Sequence, residues 1–232
     1  MKNIKTLRSF FVIRLSVVFA LLLGILSYPS FAQDAAVKEK PYARDMRDFR
    51  MSDSLNRPAK GAYLFVGSSS IRMWDNLAQS FPNRKTLNRG FGGSTIPDVI
   101  DNIETVIYPY TPKHIVIYVG ENDIAQGVSA EETLKRFSEL YLRIRERFPT
   151  TPITYISIKP SPSRDQFQSV VQEANRLISE YIAKQKNIRF LDVYSRMLNA
   201  DGSYKPIYLE DQLHMNKQGY EIWRKALEES WK

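Results

Sequence analysis

Four short polar blocks hold the residues of this chain that could act together in chemistry. They are Gly67-Ser68-Ser69-Ser70, Gly90-Phe91-Gly92-Gly93, Gly120-Glu121-Asn122-Asp123 and Asp211-Gln212-Leu213-His214. The first offers a hydroxyl nucleophile and the second offers backbone N–H groups that can approach a substrate oxygen. Asn122 adds an amide that donates without adding charge, and Asp211 can orient His214 as a base. This is the equipment of acyl transfer through a serine. Cysteine is absent, which excludes thiolate catalysis, disulfides, cysteine metal sites and a lipid-modified N-terminal cysteine. With only two histidines, His114 and His214, the chain shows no zinc ligand pattern, and it has no Gly-x-x-x-x-Gly-Lys-Ser/Thr loop. Neither metal nor cofactor is expected.

The elements that must position these blocks are read from hydrophobic period. Apolar segments at 63–66, 85–88, 115–119, 153–158 and 188–193 predict five strands. The run 115–119 is continuous and β-rich, as in a strand covered on both faces. Between the strands, Leu134, Phe137, Leu140, Tyr141, Ile144 and Phe148 share one helical face. So do Phe167, Val170, Val171, Ala174, Leu177, Ile178 and Tyr181. A last helix is expected from Lys217 with Asn216 as N-cap, and a short one around 42–51. Alternating strands and helices predict an α/β fold, a parallel sheet with helices on both faces. Reactive groups of such a sheet gather beyond its strand carboxyl ends, where the first three blocks fall. His114 opens the third strand, about 20 Å from that end at roughly 3.3 Å per residue, so only His214 can serve as base.

Each block also has a plainer reading. The serine run is an ordinary helix N-cap, Gly120–Asp123 could be a turn, and Asp211 with His214 could be a surface pair. The Gly-x-Ser-x-Gly elbow is missing because Ile71 takes its last position, and Thr95 replaces the third glycine of a dinucleotide loop.

Residues 1–32 read as a secretory signal peptide. Lys2, Lys5, Arg8 and Arg14 precede the uncharged run 15–28, and Ser30-Phe31-Ala32 places small residues before a cut at Gln33. The run is shorter than the roughly 20 residues of a membrane span. Residues 33–60 form a polar lead-in and 61–232 the domain. Cleavage lowers the formal charge from +8 to +4, with 29 Lys and Arg against 25 Asp and Glu. No block of like charges supports nucleic-acid binding. A secreted or periplasmic protein, without stable membrane insertion after cleavage, is expected.

Taken together the blocks resemble those of the SGNH (GDSL-type) hydrolase superfamily, from about Gly61 onward. Ser69 falls on its nucleophile, Gly93 on the block-two glycine, Asn122 on the asparagine of Gly-x-Asn-Asp, and Asp211 and His214 on the final Asp-x-x-His. The continuation Met215-Asn216-Lys217-Gln218-Gly219-Tyr220 is similar as well. The first block departs, with Ser68 where the family carries aspartate; spacing from Gly67 and to Trp74 favours Ser69 over its neighbours. The resemblance implies a three-layer α/β/α sandwich with a flavodoxin-like, five-stranded parallel sheet. It also implies ester hydrolysis through an acyl-enzyme, with an oxyanion hole of the Ser69 and Gly93 N–H groups and the Asn122 amide.

Arg72, Arg89, Lys159 and Arg164 fall on or after predicted carboxyl-end loops and are candidate substrate-binding cations. In the cleft they would favour a polar carrier, and no apolar lid segment is visible for a fatty chain. The expected substrate is a short-chain, acetyl ester on carbohydrate. A lipid or lysophospholipid ester is the second reading, and an exported binding domain without turnover the third.

Overall fold

The computed structural model describes residues 39–232. The expected signal peptide lies outside the described residues. Tyr42–Lys232 form one compact unit. In chain order the elements are α1 (Ala43–Leu55), β1 (Tyr63–Gly67), α2 (Ser69–Arg72), α3 (Leu77–Ser80), β2 (Thr86–Gly90), α4 (Ile96–Asp101) and α5 (Ile103–Val106). They continue with β3 (His114–Tyr118), α6 (Glu121–Ala125), α7 (Ala130–Arg147), β4 (Ile153–Ile156), α8 (Gln168–Ile182), β5 (Ile188–Leu191) and α9 (Lys217–Ser230). Short 3₁₀ turns span Pro162–Phe167 and Ser195–Met197.

The five strands form a parallel sheet in the order β2-β1-β3-β4-β5, the flavodoxin-like order. Strand pleating divides the core. Ile115, Ile117 and Val119 join Leu64, Val66 and Tyr155 under α4, α5, α7 and part of α8. Val116 and Tyr118 face the other way with Phe65, onto Ile71, Trp74, Trp223 and Leu227 of the α2 and α9 side. Every β3 side chain is buried, as the unbroken apolar run requires.

Local chemistry sets several boundaries. Asn216 caps α9 by accepting from the N–H groups of Gln218 and Gly219, as expected. Ser129 caps α7, and Thr95 with Asp98 closes a capping box on α4. β4 stops at Ile156, two residues before the sequence expectation. Beyond it the ladder gives way: the Ser157 N–H still donates to the Leu191 carbonyl of β5 at 2.9 Å, but the Ile158 N–H and C=O pair with the Asn175 side-chain amide, and Ser157 Oγ accepts from the Val193 and Tyr194 N–H groups.

The expected lead-in, 33–60, contains a helix that belongs to the compact unit. α1 inserts Met46 into the core, and Tyr42 packs edge-on against Phe91 at 4.9 Å. The unit therefore begins at Tyr42, ahead of the expected boundary at 61.

Candidate active site

β1 delivers the first block. Gly67 ends the strand at φ +140°, and a Cβ there would lie 1.8 Å from the Tyr118 carbonyl oxygen. No other residue fits, because the Ser68 N–H must close on that same carbonyl at 3.1 Å. The chain then turns into α2 with Ser69 as its first residue, so the Ser69 N–H is among those a helix leaves unpaired. Ser68 and Ser70 are buried. Of the three serines, Ser69 alone lines the cleft.

The second block is aimed by Asn88, whose amide donates to the Ile71 carbonyl at 2.7 Å and whose Oδ1 accepts from the Gly90 N–H at 2.9 Å. This clamps β2 to α2 and brings Gly92 and Gly93 to the rim. Gly93 holds φ +78°, which a side-chain-bearing residue would resist. The third block opens α6 after Gly120, with Asn122 in the cleft. One N–H of its amide goes to the Ser94 carbonyl at 2.9 Å, which leaves the other for a ligand.

The fourth block lies on the loop before α9. Asp211 Oδ1 accepts from the Leu213 and His214 N–H groups, each at 2.9 Å, and Oδ2 lies 2.5 Å from His214 Nδ1. Gln212, between them, sits at φ +53°, a left-handed conformation that lets the acid fold back on the ring. Burial pushes the Asp211 carboxyl up, but these bonds outweigh it and bring it down to about 2. An ionised carboxylate has no proton to give, so Nδ1 carries it and Nε2 is left to accept. Nε2 lies 2.9 Å from Ser69 Oγ. The three side chains form a hydrogen-bonded Ser–His–Asp relay at the carboxyl ends of β1, β2 and β3, where the strand order reverses.

His114 lies at the other end of β3. It is buried, its Nε2 lies 2.8 Å from Thr154 Oγ1, and its ring stacks on Tyr63 at 5.4 Å. Burial pushes it down to about 4, with Arg189 and Arg84 adding to the effect.

The cleft, about 410 Å³, is lined by Asp45, Arg72, Gly92, Arg164 and Leu213 besides the residues already placed there. Arg72 and Arg164 thus stand in it. Arg89 and Lys159 do not, and both expectations are corrected. Pleating turns Arg89 to the face opposite Asn88, where its guanidinium lies between the Phe49 and Tyr110 rings and pairs with Asp53 of α1. Lys159 is buried, donating to Glu121 Oε1 at 2.9 Å and to Ser161 Oγ at 2.5 Å. Sequence reasoning missed Asp45, which α1 brings into the cleft wall from outside the blocks. It also missed Glu121 as a buried anchor; a carboxylate inside Gly-x-Asn-Asp and a lysine after strand four were the available signal.

The model of the GDSL-like Lipase/Acylhydrolase family matches residues 61–222. The alpha1 subunit of platelet-activating factor acetylhydrolase IB from Bos taurus is 26% identical over 168 residues, 68% of this chain and 69% of that protein. Among solved structures, a GDSL-like lipase from Bacteroides thetaiotaomicron aligns with a TM-score of 0.67 at 18% identity, covering 80% of this chain and 96% of that one. A carbohydrate esterase family 3 protein from Talaromyces cellulolyticus aligns at 0.58 and 15% identity, over 74% and 96%.

Proposed function

The chain belongs to the GDSL-like lipase/acylhydrolase family, and from that premise we propose that it is a serine esterase acting through an acyl-enzyme on acetyl or similarly short esters of a polar carrier. The observation that carries the chemistry is the 2.9 Å contact of His214 Nε2 with Ser69 Oγ, backed by Asp211. His214 takes the Ser69 proton as Oγ attacks the ester carbonyl carbon. The carbonyl oxygen, now anionic, is received by the N–H groups of Ser69 and Gly93 and by the Asn122 amide. Collapse of the tetrahedral adduct expels the alcohol, which takes the proton from His214. Water then repeats the sequence in reverse order and releases the acid, restoring Ser69. Asp211 holds the Nδ1 tautomer and stabilises the charged ring.

The lining of the cleft supports the substrate class. Among the described residues Leu213 is the one aliphatic side chain lining it, set among Asp45, Arg72, Asn122 and Arg164, so a long acyl chain would find little to bury against. Arg72, whose guanidinium lies against Gly92, suits hydroxyl or anionic groups of a carrier such as a carbohydrate. The Talaromyces cellulolyticus carbohydrate esterase is a fold neighbour in keeping with this reading. An acetyl ester on a phospholipid is the second reading, favoured by the similarity to the Bos taurus acetylhydrolase subunit. Metal-independent turnover is part of the proposal, since the Ser69, His214 and Asp211 relay already supplies nucleophile and base. Export to the periplasm or beyond remains part of the proposal, on the strength of residues 1–32.

The test is turnover of p-nitrophenyl esters from acetate to palmitate, then of acetylated sugars against acetylated phospholipids, each with and without chelator. Highest kcat/KM on acetate and on the sugars, unchanged by chelator, is expected. Preference for long acyl chains contradicts the short-ester assignment, and preference for the phospholipid selects the second reading.

A further inference from the structure

Asn122 can assist an oxyanion only if its nitrogen, rather than its oxygen, faces the cleft. Two bonds decide this. Arg164 Nη2 donates to Asn122 Oδ1 at 2.9 Å, and Asn122 Nδ2 donates to the Ser94 carbonyl at 2.9 Å. Turning the amide over would set nitrogen against guanidinium and oxygen against carbonyl, losing both bonds at once. Resting on the esterase reading above, we propose that Arg164 is a positioning residue: it holds the amide so that the second N–H of Nδ2 points at the reacting carbonyl.

Arg164 is itself held from inside the domain. Its Nη1 stands 3.6 Å from Glu121 Oε1. Glu121 is buried, and it accepts from Tyr118 at 2.7 Å, from Lys159 at 2.9 Å and from Ser161 at 2.5 Å. Glu121 and Asn122 are neighbours at the start of α6, so one turn of chain fixes the anchor inside and the donor in the cleft. The guanidinium presents two nitrogens, one beside that carboxylate and one on the amide oxygen; an ammonium is a single point charge. A cation on Oδ1 also draws electron density from the amide nitrogen and so strengthens its remaining N–H as a donor. The Ser163 N–H bonds to the Gln212 carbonyl at 3.1 Å, so the segment carrying Arg164 is tied to the histidine loop as well.

A double-mutant cycle separates this role from direct binding of substrate by Arg164. Arg164→Ala, Asn122→Ala and the double variant are compared with wild type on the ester cleaved best, after circular dichroism shows each folded. Arg164→Ala should lower kcat about 10–100-fold with KM within about threefold, since a misaimed donor forfeits part of the 10²–10³ that one oxyanion-hole donor supplies. In the Asn122→Ala background the same change should alter kcat less than about twofold, because residues acting as a unit are non-additive. Added guanidinium should restore part of the Arg164→Ala loss, and Arg164→Lys should not. An equal loss in both backgrounds, or a loss confined to KM, overturns the proposal.

If Arg164→Ala does not fold, Arg164→Gln takes its place in the cycle. The Asn122 side-chain amide is also followed by NMR in wild type and variant, without substrate. One fixed amide environment in wild type, replaced by exchange in the variant, supports positioning; an unchanged amide contradicts it. Should wild type cleave no ester, the esterase reading fails, and the amide spectrum alone then decides the role of Arg164.

Discussion

His214 Nε2 lies 2.9 Å from Ser69 Oγ although 145 positions separate the two residues in the chain. Each partner is fixed by its own surroundings. Ser69 is placed by Gly67 closing on Tyr118, and His214 by the Leu209 N–H donating to its carbonyl at 2.8 Å and by the bonds to Asp211. The contact therefore reports the register of the sheet and the path of the last loop together.

Removing the base tests that contact. His214→Ala should cost at least about 10³-fold in kcat, because base and nucleophile act as a unit. His114→Ala should leave kcat within about threefold, its ring being packed at the far end of the sheet. Steady-state kinetics on folded variants measures both, and comparable losses would place the base elsewhere.

His114 should instead be visible in stability. Its folded value of about 4 lies below the unfolded 6.5, so between those values the unfolded chain binds more protons. Stability then rises with pH through this window, and it is lost as pH falls from 6.5 toward 4. Between pH 7 and 4.5 wild type should lose about 2 kcal/mol more than His114→Gln. Urea unfolding at the two pH values reads this, and equal losses would contradict a buried neutral ring.

Gly67→Ala should destabilise by more than about 3 kcal/mol or prevent folding, because its Cβ would overlap the Tyr118 carbonyl. Gly202→Ala, at φ +84° with nothing within 4 Å, should cost only about 1–2 kcal/mol, the left-handed penalty alone. Thermal melts compare the two.

Much of this was legible in the sequence, for identifiable reasons. A short unbroken run rich in β-branched residues and ended by a glycine reads as a strand covered on both faces, and 115–119 found β3 to within a residue. Asn216 capped its helix because side-chain capping is local chemistry. Arg89 and Lys159 were not legible. Whether a cation at a strand's end faces solvent or interior depends on what covers it, and Arg89 is covered by Phe49 and Tyr110, 40 and 21 residues away. Asp45 was hidden for a similar reason. α1 buries only Met46 completely, so its period does not announce that one turn of it walls the cleft.

The correction at Arg89 carries its own test. Arg89→Leu leaves Asp53 and the Tyr110 hydroxyl without their cation and should lower stability by about 2–3 kcal/mol, less than a fully buried pair would because Asp53 is partly exposed. KM should not change. A raised KM with unchanged stability would return Arg89 to the cleft.

The central claim is that Ser69 is the nucleophile, and covalent capture tests it most directly. Purified protein treated with a fluorophosphonate should be modified once, and peptide mass spectrometry should find the adduct on Ser69, with none formed in Ser69→Ala and a strongly reduced rate in His214→Ala. An adduct on Ser68 or Ser70, or no adduct on folded wild-type protein, would contradict the account.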